Sequence, residues 1–484
     1  MDFSEFNIQR LFGQEAAESE EIERLREYYL KNKIYSKVIV DLPLRIVVGH
    51  KGIGKSALFK IGMDDERNNG RLTFIIKPDD ISGIGGKDDD FLSLITRWKI
   101  GINEIIANKI INYFGLYNED SNLIQKALGA GVTLLDLLGD TIKIKDKIDL
   151  SRINSDLKIK AINNFLSTNK VSIYIDDLDR GWKGRSEDIQ RISALLNAVR
   201  DISSENKGIY FRVNLRSDVY FLSRTSDEST DKTEGSVIWF DWSNHEIFAL
   251  LIKRVATFNG QYGLSDKQLI SKKQTELMSY LNNIIEEKFT GNGKWSNAPM
   301  HKILMSLIRR RPRDLVKLLT LAARQAQDDE SIIIKTEHLK KILDEYSQGR
   351  LQDTINEFVS ELPDVERLIL GMKPAKRQKN TLVNYNYSTS SLLEKIKSIE
   401  QQGIFKGANK KTLTTKELAA FLYKIGFITA RKILPDGTID RKFFEQNRYL
   451  SSKFADFGYD WEVHPAYRWA LQPDNIYDLI DSID

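Results

Sequence analysis

The chain has no cysteine among its 484 residues, which excludes disulfides and thiolate metal sites outright. Its 5 histidines (His50, His245, His301, His338 and His464) are too scattered to form a histidine metal cluster. Long hydrophobic runs are missing as well: GAGVTLLDLLG at 129–139 is too short to span a bilayer. The opening residues MDFSEFNIQRLFGQEAAESEE carry acids where a secretion signal needs a basic start and an apolar stretch. These absences predict a cytoplasmic protein with no membrane attachment. No internal repeat or low-complexity tract stands out, and a formal net charge of +4 is too small by itself to argue for nucleic acid. With 41% hydrophobic residues there is ample material for burial, and the length predicts roughly three domains.

The sharpest feature present is GHKGIGKS, residues 49–56, placed between the apolar run LRIVV and ALFKIGMDDE. Gly49, Gly54, Lys55 and Ser56 occupy the fixed points of G-x-x-x-x-G-K-[ST], and a strand precedes them as the mechanism requires. Glycines let the backbone curl so that its N–H groups point at a polyphosphate, and the following helix N-terminus adds partial positive charge. The stretch Gly49, His50, Lys51, Gly52, Ile53, Gly54, Lys55, Ser56 and Ala57 is therefore the expected nucleotide cradle. Lys55 would reach the β- and γ-phosphates, and Ser56 the Mg²⁺. ATP and Mg²⁺ are the expected cofactors.

Along the chain, residues 1–36 read as a helical lead-in, with Ile22, Leu25, Tyr28 and Tyr29 on one stripe of a 3.6-residue helix. Short apolar runs at 44–49, 71–78, 171–177, 208–215 and 236–242 alternate with helical patterns, predicting a parallel α/β sheet over 37–243 with a helical insertion at about 90–165. The periodicity is helical throughout 244–350, a lid-sized domain. Residues 351–484 mix helices with a hairpin whose LPDGT turn, with Asp436-Gly437, suits type I′; helix, helix, hairpin predicts a winged-helix-like α+β domain.

Hydrolysis needs acids as well as a cradle. VSIYIDDLDR ends an apolar strand in carboxylates, placing them at the C-terminal edge of the sheet, where open α/β sheets bind ligands. Asp176 is the expected Mg²⁺-side acid, and Asp177 the group that polarises the attacking water, with Asp179 competing for that role. At the end of the next strand, Arg216 could sense the γ-phosphate, and Asn214 is its nearest rival. In RRRPRDLVKLL, Pro312 suits a helix first turn, and Arg313 could reach the phosphates from the lid.

Together GHKGIGKS, IYIDDLDR, VNLRSD and RRPRDL resemble the KAP and STAND groups of P-loop ATPases, which are related to AAA+ and origin-recognition ATPases. The resemblance covers about residues 36–350, and DDLDR after a strand is its most specific element. It implies a P-loop NTPase parallel sheet with a helical lid and a nucleotide-driven, Mg-dependent ATPase switch, often serving in bacterial antiviral defence. It makes Lys55 and Ser56 the phosphate and Mg²⁺ ligands, Asp176 and Asp177 the acidic pair, and Arg313 the lid sensor. The membrane helices common in KAP proteins and the repeat arrays common in STAND proteins are not found in this sequence.

Between 371 and 450 there are 16 Lys and Arg against 6 Asp and Glu, a difference of +10. A winged-helix element with that balance suits a nucleic-acid backbone, with TTKELAAFLYKIGF near the groove and ARKILPDGTIDRK as the wing. Expected partners are a nucleotide, a protein effector, nucleic acid through 371–450, and a further copy of the chain. A nucleotide-sensing scaffold and a DNA-binding ATPase loader stand as alternatives to the hydrolytic switch.

Overall fold

The computed structural model describes residues 2–14, 19–84, 90–113, 169–226, 228–261, 263–291, 295–374, 385–435, 439–447, 450 and 458–472. Most of the expected insertion, the Lys376, Arg377 and Lys379 loop, Arg448 and the Asp436-Gly437 turn lie outside them. The chain divides into two compact units. The sheet unit comprises Lys33–His50 and Leu58–Phe240, and the helical unit comprises Met1–Asn32, Lys51–Ala57 and Asp241–Asp484.

The sheet unit is built on β1 (Leu44–Gly49), β2 (Leu72–Ile76), β3 (Val171–Ile175), β4 (Ile209–Arg216) and β5 (Val237–Trp239). They lie in the order β2-β3-β4-β1-β5, and every pairing is parallel. This is a P-loop NTPase-type sheet, with β4 between the strand that enters the phosphate loop and the strand that ends in acids. β3 is buried at all five positions, as expected for a strand covered on both faces and read as a continuous apolar run. On one face Ile46, Val48, Ile173, Ile175, Phe211 and Val213 join a core with Trp98, Ile102 and Ile106 of the Phe91–Tyr113 helix and Leu195, Val199 and Ile202 of the Ser186–Glu205 helix.

On the other face Tyr174 packs edge-on against Phe59 at 5.0 Å and donates to Glu66 at 3.0 Å. Gly62 permits that close approach, since a Cβ there would lie 2.5 Å from Ile39. Arg212, fully buried in β4, donates to the carbonyls of Leu42 and Val40 at 2.9 and 2.8 Å. Burying a guanidinium is tolerable only because its N–H groups find such acceptors.

The helical unit contains the Asn244–Phe258, Met300–Leu307, Pro312–Asp328 and Thr336–Phe358 helices. The first 32 residues belong to it: Arg254 donates to the Phe12 carbonyl, and Lys253 Nζ donates to the Tyr29 carbonyl at 2.5 Å. Leu25, Tyr28 and Tyr29 are buried, as the helical stripe predicts. C-terminal to the lid, the Thr389–Glu400 and Thr415–Lys424 helices precede β7 (Ile428–Ile433), β8 (Ile439–Lys442) and β9 (Asp460–Val463). With β6 (Asn386–Tyr387) these strands form an antiparallel sheet in the order β6-β9-β7-β8. Thr414 and Glu417 close a capping box at the start of the second helix. The arrangement is a winged-helix-like α+β domain. Among the described residues no helix is long and apolar enough to cross a membrane.

Candidate functional site

The chain leaves β1 at Gly49, turns through residues 50–54 and enters the Lys55–Asn68 helix at Lys55. Gly52 and Gly54 hold φ of 80° and 99°, a region costly for any residue with a Cβ. A Cβ at Gly54 would meet nothing within 4 Å, so that glycine is required by conformation alone, whereas one at Gly52 would lie 3.2 Å from the stem of Arg313. Lys55, Ser56 and Ala57 form the first helical turn, and Lys55 is buried at 8% exposure.

Within the helical unit three donors meet consecutive loop carbonyls. Arg311 donates to Lys51 O at 3.2 Å, the Arg313 backbone N–H to Gly52 O at 3.3 Å, and the Trp242 indole to Ile53 O at 2.8 Å. Glu357 accepts the Lys51 N–H at 3.1 Å and is itself paired with Arg311 at 3.0 Å. Arg313, the second residue of the Pro312–Asp328 helix, thus lies against the loop by both backbone and stem. Its neighbours in RRRPRD have different partners. Arg309 forms a two-pronged pair with Asp314 at 2.7 and 2.8 Å and donates to Tyr467 at 3.1 Å, while Arg350 also reaches Asp314 at 2.7 Å. Burial would push the Asp314 carboxyl up, but the charges and hydrogen bonds of these arginines hold it well below the usual carboxylate range.

In the sheet unit β3 and β4 are in register at Ile175 and Val213, so Asp176 and Asn214, one residue further on, stand side by side. Asn214 donates its side-chain amide to Asp176, and the Asp177 N–H donates to the same Oδ1 at 2.8 Å. Asp176 is 8% exposed. Asp177 is exposed, adopts φ 60° and pairs with Arg180 at 3.2 Å. Arg216 closes β4 and is held by acids: Asp218 at 2.9 and 2.6 Å and Asp179 at 3.0 Å. His50 Nδ1 lies 3.1 Å from Ser217 Oγ, both residues buried. Sequence reasoning singled out the acids and the loop but missed Trp242, Arg311 and Glu357; the arginine run marked Arg311's segment, and nothing local marked the other two.

The basic C-terminal stretch resolves into inward and outward cations. Arg431, Arg441 and Arg468 surround the buried Glu462, which they hold below its ordinary range against the upward push of burial. Lys424 pairs with Glu361 and Lys442 with Asp440. Lys406, Lys410, Lys411 and Lys416 remain exposed, of which Lys411 lies 3.5 Å from Glu417. Among the described residues of this stretch Lys373, Lys397 and Lys432 are exposed as well, so part of the +10 count over 371–450 is turned inward onto acids while the 406–416 segment carries four of the outward cations.

No family model matches the chain, and no curated protein matches it. Among solved structures, the ORC2 protein of Aeropyrum pernix, in its ADPNP–ADP complexes, is 11% identical over 96% of this chain and 94% of its own, with a TM-score of 0.40. A Walker-type ATPase of Pyrococcus abyssi is 10% identical over 85% and 93%, with a TM-score of 0.37. Cdc6p of Pyrobaculum aerophilum is 12% identical over 89% and 92%, with a TM-score of 0.29. Scores this low carry no further argument, and the assignment of fold rests on the chain's own strand order and phosphate loop.

Proposed function

We propose that the chain binds ATP at the 49–57 loop and hydrolyses it, acting as a nucleotide-driven switch. The observation that carries this reading is the loop itself: a full G-x-x-x-x-G-K-S between a parallel strand and a helix N-terminus, with left-handed glycines at 52 and 54. Lys55 binds the β- and γ-phosphates. Ser56 and Asp176 are the residues to hold Mg²⁺, an ion that in phosphate sites takes one or two protein groups and keeps several waters, so a full protein cage is not required. Asp176 fits the task, because two donors fix its Oδ1. Mg²⁺ would neutralise charge on the phosphates. Asp177 orients the attacking water and accepts its proton, Asn214 or Arg216 senses the γ-phosphate, and Arg313 carries nucleotide state into the lid.

Steady-state phosphate release from purified protein, with Lys55→Ala as control, tests the reading. Turnover lost in Lys55→Ala together with ATP binding is expected; wild-type ATP affinity in that variant by calorimetry would refute it. One observation favours a nucleotide-sensing scaffold instead. Asp177 is paired with Arg180, and a carboxylate so occupied is a poorer base. Binding without measurable phosphate release would select the scaffold. The exposed lysines at 406–416 support engagement of nucleic acid by the winged-helix-like domain. The antiviral role and a protein effector rest on the motif resemblance alone.

A further inference from the structure

Phosphate loops work by presenting backbone N–H groups, and a peptide plane fixes each N–H opposite the preceding carbonyl. In this chain the carbonyls of Lys51, Gly52 and Ile53 each take a donor from the helical unit: the Arg311 guanidinium, the Arg313 backbone and the Trp242 indole. Fixing those three carbonyls turns the N–H groups of Gly52, Ile53 and Gly54 to the other side. Among the described residues none of these three N–H groups donates to a protein acceptor. Three successive donors without protein acceptors, one on a residue only 4% exposed, make an anion cradle shaped in advance.

The charges behind the loop support the same conclusion. Glu357 places a carboxylate on the Lys51 N–H, where alone it would repel a polyphosphate, and Arg311 cancels it at 3.0 Å with both side chains almost fully buried. We infer that Trp242, Arg311 and Glu357 are positioning residues that pre-shape the phosphate loop from behind and keep its surroundings neutral, so that affinity for the phosphate chain depends on side chains that do not touch it. This inference rests on the proposed reading of the loop as a phosphate site.

The test uses the full chain and three probes, ATP, ADP and inorganic pyrophosphate, titrated by calorimetry. Trp242→Phe keeps the ring and removes the N–H; it should weaken all three by about the same factor, roughly 3–10-fold for one hydrogen bond, with an unchanged melting temperature. Arg311→Ala, which removes the guanidinium paired with Glu357, should weaken them by roughly 10–100-fold. Adding Glu357→Gln to it should recover part of that loss, a rescue that a purely structural role would not give. Wild-type affinity in both Trp242→Phe and Arg311→Ala, with binding lost in Lys55→Ala, overturns the inference and leaves the proposed function standing. Wild-type affinity in Lys55→Ala removes both. Failure of Glu357→Gln to rescue Arg311→Ala overturns the charge argument, whatever Arg311→Ala does to folding, since Trp242→Phe reports separately on loop shape.

Discussion

Asn214 donates its side-chain amide to Asp176, across the seam between β4 and β3. A neutral donor on a carboxylate steadies it without cancelling its charge. Removing the donor by Asn214→Ala forfeits a hydrogen bond to a charged group, roughly 1.5–3 kcal/mol. The expected result is turnover lowered about 10- to 100-fold with ATP affinity within a factor of three of wild type. An unchanged rate would mean that Asn214 only fills space beside Asp176.

Asp177→Asn should retain ATP binding while turnover falls by roughly 10²–10⁴, the range for loss of a general base. Asparagine is the apt replacement because it tolerates the left-handed backbone found at this position. The companion Arg180→Ala releases the Asp177 carboxylate from its pair and should raise basal phosphate release. Exposed pairs of this kind are weak, about 0–1 kcal/mol, so an increase of up to about fivefold is expected, and a decrease would argue that Arg180 itself serves hydrolysis.

Asp314 takes hydrogen bonds from Arg309 and Arg350 in the interior of the helical unit. Asp314→Ala leaves two guanidiniums buried without their anion, which should cost about 3–5 kcal/mol of stability. Urea denaturation measures it directly; a loss under 1 kcal/mol would show that water reaches the arginines. Tyr467→Phe removes the hydroxyl at the far end of the same network and should cost about 1 kcal/mol.

These networks show where sequence reading stops. β1 was legible residue for residue, because a strand covered on both faces reads as a largely apolar run, interrupted here by the half-buried Arg45, and the loop's glycines are set by local dihedrals. The partners of Asp314 lie up to 36 residues away, and Glu357 meets Lys51 over a separation of 306. No periodicity encodes such meetings. Charge counting cannot see pairing, for a related reason: Arg431 and Arg441 enter the count as surface cations yet are turned onto Glu462.

His464 is buried, its Nδ1 accepting the Ala466 N–H at 3.1 Å, and burial pushes its titration down to about 3. Unfolded histidine titrates near 6.5. Between these values the unfolded chain binds the extra proton, so stability is full above about pH 6.5 and falls as pH drops toward 3. His301 and His338, also lowered by burial, add in the same direction. Asp314 and Glu462 contribute loss only below the carboxylate range near pH 4. His464→Asn keeps a capping acceptor and should flatten the decline in denaturation midpoint between pH 6.5 and 4.5; an equally steep decline would assign it elsewhere.

Replacing Lys406, Lys410 and Lys416 with Gln should weaken duplex DNA binding about equally across unrelated sequences and reduce the log–log salt slope by roughly 0.9 for each phosphate no longer neutralised. ATP turnover should be unchanged. No binding by the wild-type chain at low salt would assign these lysines to solvent or to a protein interface.

The donors behind the phosphate loop also set a schedule. β5 ends at Trp239, whereas Trp242, Arg311, Arg313 and Glu357 all lie beyond it. On the ribosome the five strands are therefore made before any group that orders the loop, and Glu357 follows by roughly 6–24 seconds at about 5–20 residues per second. A nascent sheet has its glycines and lysine but not their support. If those donors pre-shape the loop as proposed, a partly made copy should hold nucleotide less tightly than a chain that has been synthesised through its lid.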